Sequence, residues 1–154
     1  MKRREFITAL GGAAVAWPIA AHAQQPMRRV GVLMNSAEHD PEGQTRLAGF
    51  LQGLQDAGWT VGRNLRVDIR WGAGDSDRYR NQVADLIRLT PDVIVTSGGT
   101  TTRAVQQATR TVPIVFVQAT DPVGGGLVAS LARPGGNSTG FSQSEYSISA
   151  KWIE

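Results

Sequence analysis

The 154-residue sequence contains no cysteine and only two histidines, His22 and His39. Without cysteine the chain cannot form a disulfide scaffold, a thiolate metal site, a cysteine nucleophile or a thioether link to a lipid. His22 belongs to an N-terminal segment that we expect to be cleaved off, which leaves His39 alone. A histidine-based catalytic triad and a metal site with several histidines are therefore not expected.

Nucleotide-binding motifs are also missing, although the chain has 18 glycines. Its only lysines are Lys2 and Lys151, so the sequence contains no G-x-x-x-x-G-K-[ST] phosphate loop. The first strand-to-helix turn has no G-x-G-x-x-G pattern, and Gly124–Gly126 comes too late in the chain to supply one. The acidic residues around His39, within 38–42, fit neither a calcium loop nor a zinc pattern. We therefore expect no cofactor and no metal.

The excess of basic residues is concentrated at the N-terminus. The formal net charge is +3, and residues 1–23 contribute two of these three charges. The remainder of the chain carries 13 basic and 12 acidic residues. A nearly neutral body argues against binding to nucleic-acid phosphates, so we expect no nucleic-acid partner.

This basic N-terminus continues into the three-part layout of an export signal. Arg3 to Ile7 resembles the twin-arginine signal, Phe6 to Ala20 is a short apolar stretch, and Ala21 to Ala23 fits the cleavage rule. A membrane anchor is the alternative, but the stretch is rich in glycine and alanine and is interrupted by Pro18. The sequence predicts cleavage before Gln24, no stable membrane insertion afterwards, and a periplasmic protein. It leaves open whether the twin-arginine or the general pathway is used.

The remaining sequence alternates between predicted strands and helices. Strands are predicted where apolar residues run together or alternate with polar ones, at 30–34, 65–71, 92–95, 114–117 and 138–141. Helices are predicted where apolar residues recur every three or four positions, at 43–57, 79–87, 100–109 and 127–131. Single helices between strands favour an α/β fold with a parallel sheet and helices on both faces. The alternating strand 65–71 belongs at an edge, which favours the strand order 2-1-3-4-5.

Such a sheet binds ligands beyond the carboxyl ends of its strands, next to the point where the strand order reverses. These ends carry Asn35-Ser36, Ser97 to Thr102, and Thr120-Asp121. The segment from Ser97 is rich in hydroxyls and stands at a helix start, which suits a carboxylate or a phosphate. An ordinary turn with a threonine cap fits equally well. Asp121 either holds an ammonium or hydroxyl group of a ligand or caps the short helix that follows.

Several segments, taken in order, resemble one protein family. They are Arg29–Met34, Arg63-Asn64, the region of Trp71, Asp92–Val95, Pro113–Val117, Asp121–Gly124, Leu127–Asn137 and Thr139-Gly140. Over residues 28–154 the chain resembles ABC-transporter substrate-binding proteins, the family that includes tryptophan- and tyrosine-uptake binding proteins. The resemblance implies the N-terminal lobe of the type I periplasmic-binding fold, in which two α/β lobes close on a small ligand. It implies ligand contacts from Asn35, Ser36, Ser97, Gly98, Gly99, Thr100, Thr101, Thr120 and Asp121, although Ser97 to Thr100 departs slightly from the usual Gly-Thr pattern.

The resemblance further implies a solute-binding protein rather than an enzyme. Such a protein captures a small, amino-acid-like solute in the periplasm and delivers it to an ABC permease and its ATPase. Residues 1–23 are then the signal, 24–145 the N-terminal lobe, and 146–154 the start of a helix that crosses to a missing second lobe, so the chain is expected to be a fragment. Two alternatives stay open: an enzyme of flavodoxin-like topology, and the effector-sensing domain of a transcription regulator. The regulator would carry a DNA-binding helix pair at the N-terminus, where the export signal stands.

Overall fold

The computed structural model describes residues 26–144 of the chain. Five strands and three helices follow one another within this range. In chain order they are β1 (Arg28–Met34), α1 (Pro41–Asp56), β2 (Leu65–Trp71), α2 (Ser76–Arg88), β3 (Val93–Ser97), α3 (Gly99–Ala108), β4 (Ile114–Thr120) and β5 (Ser138–Ser144). The predicted export signal at 1–23 and the predicted crossing helix at 146–154 lie outside the described residues.

The strands form one parallel sheet in the order β2-β1-β3-β4-β5, which confirms the predicted topology. β1 pairs on both sides, and its residues from Gly31 to Met34 are all buried. β2 lies at an edge as predicted, and Leu65 is its only buried residue. A central strand is covered on both faces and is therefore apolar throughout, whereas an edge strand keeps polar residues on its exposed side.

Alternate residues of the strands pack against different helices. Val30, Val32 and Met34 of β1 belong to one buried core with Leu47 of α1 on one face of the sheet. Leu33 of the same strand packs on the other face, against residues of α2 and α3. The core on that second face consists of Leu33, Tyr79, Val83, Leu86, Ile94, Val105 and Ile114. The two cores clamp the central strands between helices and so fix where their carboxyl ends lie.

The first two helices begin at aspartates. Asp40 caps α1 and Pro41 follows it at the helix start, so this helix begins two residues earlier than predicted. Asp75 caps α2 by accepting hydrogen bonds from the backbone N–H groups of Arg78 and Asp77. These two N–H donors hold the pKa of the Asp75 carboxyl below its usual value. None of the helices within residues 26–144 is long and apolar enough to cross a membrane.

The predicted short helix at 127–131 is wrong, because this segment has no helical structure. Gly126 has φ of +69°, outside the range of a right-handed helix, and it disrupts a helical start. Leu127 and Val128 are apolar because they pack against Phe116 beneath the loop. The predicted fifth strand is confirmed and extends further than expected, to Ser144.

Candidate functional site

A cavity of about 420 Å³ opens where β1, β3 and β4 end side by side. Its lining residues are Asn35, Gly74, Tyr79, Ser97, Gly98, Gly99, Thr100, Gln118 and Thr120. Six of the nine residues predicted to contact a ligand are therefore brought together here: Asn35, Ser97, Gly98, Gly99, Thr100 and Thr120. These residues lie together because the strand order reverses between β1 and β3. The loops after these two strands leave the sheet in opposite directions and open a crevice between them.

Gly98 shapes the turn between β3 and α3. Its φ is +92°, a conformation that favours glycine, and its N–H donates to the Val117 carbonyl at 2.8 Å. No side chain in the described part of the molecule caps the first turn of α3, which starts at Gly99. The first N–H groups of a helix lack partners within it and carry its positive dipole. This end of the cavity therefore suits a negatively charged or carbonyl oxygen.

Two threonine hydroxyls hold this turn together from inside. Thr101 Oγ1 lies 2.7 Å from the Ser97 carbonyl oxygen and 2.8 Å from the Gly98 carbonyl oxygen, and its one proton is shared between these two acceptors. Thr102 Oγ1 donates to the Gly98 carbonyl at 2.7 Å and lies 2.9 Å from Thr96 Oγ1. Both threonines are fully buried. Thr101, predicted to contact ligand, thus lies behind the cavity wall and supports the turn that forms it.

A polar chain crosses the floor of the cavity. Ser97 Oγ lies 2.9 Å from Gln118 Oε1 and 3.3 Å from Asn35 Oδ1. A hydroxyl has one proton to donate, so the shorter contact with Gln118 is the stronger hydrogen bond. These three residues come from three adjacent strand ends and bridge β1, β3 and β4.

Tyr79 of α2 supports the cavity from the side. It is 3% exposed, and its hydroxyl donates to the Asn35 carbonyl at 3.3 Å. Burial raises the pKa of the Tyr79 phenol, which keeps it protonated and able to donate. Gly72 lies against the Tyr79 ring with no room for a side chain. The loop after β1 is therefore held by a residue far away in sequence.

Ser36 and Asp121 are the other predicted ligand contacts that do not line the cavity. The Ser36 hydroxyl is buried against Gly43 of α1 and has no hydrogen-bond partner among the described residues. Asp121 has φ of +45°, and its carboxylate accepts a hydrogen bond from the Gly124 N–H at 2.9 Å. Asp121 therefore caps a turn, where the sequence had suggested a helix cap as one alternative.

Three cavity residues were not predicted from the sequence: Gly74, Tyr79 and Gln118. Gln118 carries a visible signal, because it is a polar residue at the carboxyl end of the apolar segment Ile114–Val117. Tyr79 carries no such sequence signal, because it falls on the apolar face of α2. It reaches the site only through the packing of α2 on the sheet.

The cavity has no formally charged residue in its lining. An ionic group of a ligand would therefore meet helix N–H groups, amides and hydroxyls rather than an opposite charge. No group of three His, Cys, Asp or Glu able to hold a metal occurs in residues 26–144. A second cavity of about 360 Å³ is mainly apolar, is lined by residues such as Met34 and Phe50, and shares Ser97 and Gln118 with the first.

A parallel α/β lobe with a polar cavity beyond its strand ends is the architecture of a small-molecule-binding lobe. The family model of ABC transporter substrate binding proteins matches residues 29–154, and the chain belongs to this family. The fold is that of type I periplasmic-binding proteins, which confirms the predicted fold class. The family is one of solute-binding proteins and not of enzymes, so the flavodoxin-like enzyme is no longer supported.

Three relatives illustrate the similarity. A tyrosine-binding protein of Clostridioides difficile strain R20291 is 33% identical over 94 residues, which are 61% of this chain and 27% of the relative. The ABC domain of Streptococcus pneumoniae solved with L-Trp has a TM-score of 0.70 at 26% identity, covering 76% of this chain and 39% of that one. A conserved domain protein of Vibrio cholerae has a TM-score of 0.73 at 31% identity, covering 83% and 43%. The chain thus spans less than half the length of each relative.

Proposed function

We propose that this chain forms the N-terminal lobe of the exported solute-binding component of an ABC import system. The observation that carries the proposal is the uncharged polar cavity, built from the adjacent ends of β1, β3 and β4. The lobe captures a small, amino-acid-like solute in the periplasm and presents it to a permease and its ATPase. Family membership supports the solute-binding role.

An amino acid matches the chemistry of the cavity. Its carboxylate accepts hydrogen bonds from the N–H groups at Gly99 and Thr100 and from the Thr100 hydroxyl. Asn35 and Thr120 have side-chain oxygens that accept hydrogen bonds from an ammonium group. Thr101 and Asp121 contribute from behind, by hydrogen bonds that fix the loops carrying the contacting residues. The names of two relatives, a tyrosine-binding protein and a complex with L-Trp, make aromatic amino acids the first solutes to test.

Export and delivery are parts of the same proposal. The layout of residues 1–23 supports transfer to the periplasm and cleavage before Gln24. The longer relatives support a second lobe as the opposite wall of the cleft.

Calorimetric titration of the complete gene product with L-tyrosine and L-tryptophan tests the proposal. Thr100→Val removes one cavity hydroxyl at nearly constant volume. Loss of a hydrogen bond to a charged group, worth about 1.5–3 kcal/mol, weakens binding by about tenfold or more. The matched control is Thr60→Val, at an exposed loop position that does not line the cavity, and it leaves affinity unchanged. Equal affinities for the two variants would contradict the placement of the carboxylate, and a complete gene product that binds no amino acid would contradict the function.

A further inference from the structure

Gln118 has an unusual backbone conformation for a residue inside a strand. Its φ is +59°, in the left-handed region that favours glycine. The pairing of β4 with β5 is shifted at this point, between Phe116 and Ala119. A non-glycine residue persists in such a conformation only where its surroundings impose it, and such residues concentrate at binding sites.

The side chain of Gln118 is held in one orientation. Its Oε1 accepts the proton of Ser97 Oγ at 2.9 Å, so the amide nitrogen Nε2 is turned away from Ser97. No hydrogen bond to Nε2 is found within residues 26–144. The Gln118 amide therefore keeps two N–H donors that no acceptor within residues 26–144 uses.

The position of Gln118 gives these donors a use. The residue lines the polar cavity together with Thr100 at the start of α3, and it also lines the adjoining apolar cavity. Gln118 therefore lies between the polar cavity, which suits polar groups of a solute, and the apolar cavity, which suits its apolar groups. A side chain at such a boundary decides which end of an asymmetric solute is accepted on each side.

We propose that Gln118 is a specificity-determining residue of this cleft, which donates a hydrogen bond from Nε2 to an oxygen acceptor of the solute. This inference rests on the proposed function. The residue selects solutes that place a carboxylate or carbonyl oxygen beside it and disfavours those that place an ammonium group there. Ser97 and the imposed backbone conformation hold the amide ready before the solute arrives, which reduces the entropy lost on binding.

The test compares variants of the complete gene product in titrations with L-tyrosine and L-tryptophan. Gln118→Met keeps the length of the side chain and removes the amide. It weakens binding of the preferred amino acid by about tenfold or more, because a hydrogen-bond donor to a charged acceptor is lost. Gln107→Met is the matched control: Gln107 is exposed on α3 and does not line the cavity, so affinity stays unchanged.

A second variant separates a binding role from a structural one. Gln118→Gly relaxes the left-handed conformation, so it raises the melting temperature while it weakens binding. A melting temperature below that of the unchanged protein, with affinity retained, would assign Gln118 a structural role and overturn the inference.

Two failures are distinguishable. If the unchanged protein binds an amino acid and Gln118→Met binds it equally well, the inference alone is overturned. If the unchanged protein binds none of the amino acids, the proposed function is overturned together with this inference.

Discussion

Gly72 lies beneath the ring of Tyr79, and a Cβ at this position would overlap the ring. Tyr79 cannot move aside easily, because it is 3% exposed and belongs to the core between the sheet and α2. We expect Gly72→Ala to destabilise the protein by about 1–3 kcal/mol, as overpacking of a core does. Chemical denaturation measures this difference.

The control for Gly72 is another glycine. Gly49 lies on the exposed side of α1, and a Cβ there meets nothing within 4 Å. Gly49→Ala should stabilise the protein by about 0.5–1 kcal/mol, because alanine favours a helix interior. Equal effects of the two substitutions would show that the Tyr79 ring does not pack on Gly72.

Asp92 ties the start of β3 to the start of β1. Its carboxylate accepts hydrogen bonds from the Arg29 N–H and from the Arg28 guanidinium, both at 2.8 Å. The Arg29 N–H first, and Arg28 second, hold the pKa of the Asp92 carboxyl below its usual value of 3.8. A lowered folded-state pKa means that the carboxylate stabilises the fold above pH 3.8 and that this contribution is lost as the pH falls further.

Asp92→Asn should therefore lower the melting temperature at pH 7, and the difference from the unchanged protein should shrink as the pH falls below 3.8. Asp85→Asn serves as the control, since Asp85 forms only an exposed ion pair with Arg88 one helical turn away. Thermal melts across this pH range measure both variants. A difference for Asp92→Asn that stays constant down to pH 2 would rule out the carboxylate as its cause.

At the scale of elements, the start of α3 depends on a buried pair of hydroxyls. Thr102 Oγ1 lies 2.9 Å from Thr96 Oγ1, and both residues are fully buried. Thr102→Val leaves the buried Thr96 hydroxyl without its hydrogen-bond partner, whereas the Gly98 carbonyl keeps its bond from Thr101 Oγ1, and the change should cost about 1–3 kcal/mol.

The double variant Thr96→Val with Thr102→Val should recover part of that loss, because it removes both hydroxyls of the pair. Denaturant titration of the two single variants and the double variant measures the coupling. Strictly additive losses would show that the two hydroxyls do not interact.

The elements themselves were largely predictable, because hydrophobic periodicity reports which face of a helix or strand is buried. The strand order was predictable because β1 is a continuous apolar run, as a central strand is, whereas apolar and polar residues alternate in β2, as they do in an edge strand. The helix predicted at 127–131 was wrong because Leu127 and Val128, two buried loop residues, give the segment the apolar pattern of a helix face. The burial of Leu127 and Val128 depends on Phe116, a contact that no local pattern shows.

The candidate site was predictable in the loops that follow the strands and less so elsewhere. The rule for parallel sheets locates Asn35, Ser97 and Thr120 without any knowledge of packing. It does not distinguish a side chain that faces the cavity from one that faces the core, as the buried Thr101 shows. Tyr79 enters the site from α2, and only tertiary packing brings it there.

At the scale of the whole molecule, the edge strand β5 carries an exposed aromatic residue. Phe141 is 74% exposed, more than any other large apolar side chain in residues 26–144. An exposed apolar side chain on an edge strand promotes association between chains. We expect Phe141→Ser to reduce self-association of the 154-residue chain in analytical ultracentrifugation. A monomeric unchanged chain at the same concentrations would contradict this expectation.

Export gives a further prediction for the whole chain. Mass spectrometry of the periplasmic protein should find Gln24 at its N-terminus, and an intact Met1 would contradict cleavage. Joint replacement of Arg3 and Arg4 by lysine should block export if the twin-arginine route is used. Unchanged export of that variant would indicate the general pathway.

Hydrogen exchange at the start of α3 tests the central claim, that a solute binds beyond the ends of β1, β3 and β4. The amides of Gly99 and Thr100 are followed by NMR in the complete gene product, alone and with each of the twenty common L-amino acids. We expect at least one amino acid to slow exchange at these two amides, while the amides of Gly49 and Gly53, which lie on α1 and do not line the cavity, are unaffected. Unchanged exchange at Gly99 and Thr100 with all twenty amino acids would contradict it.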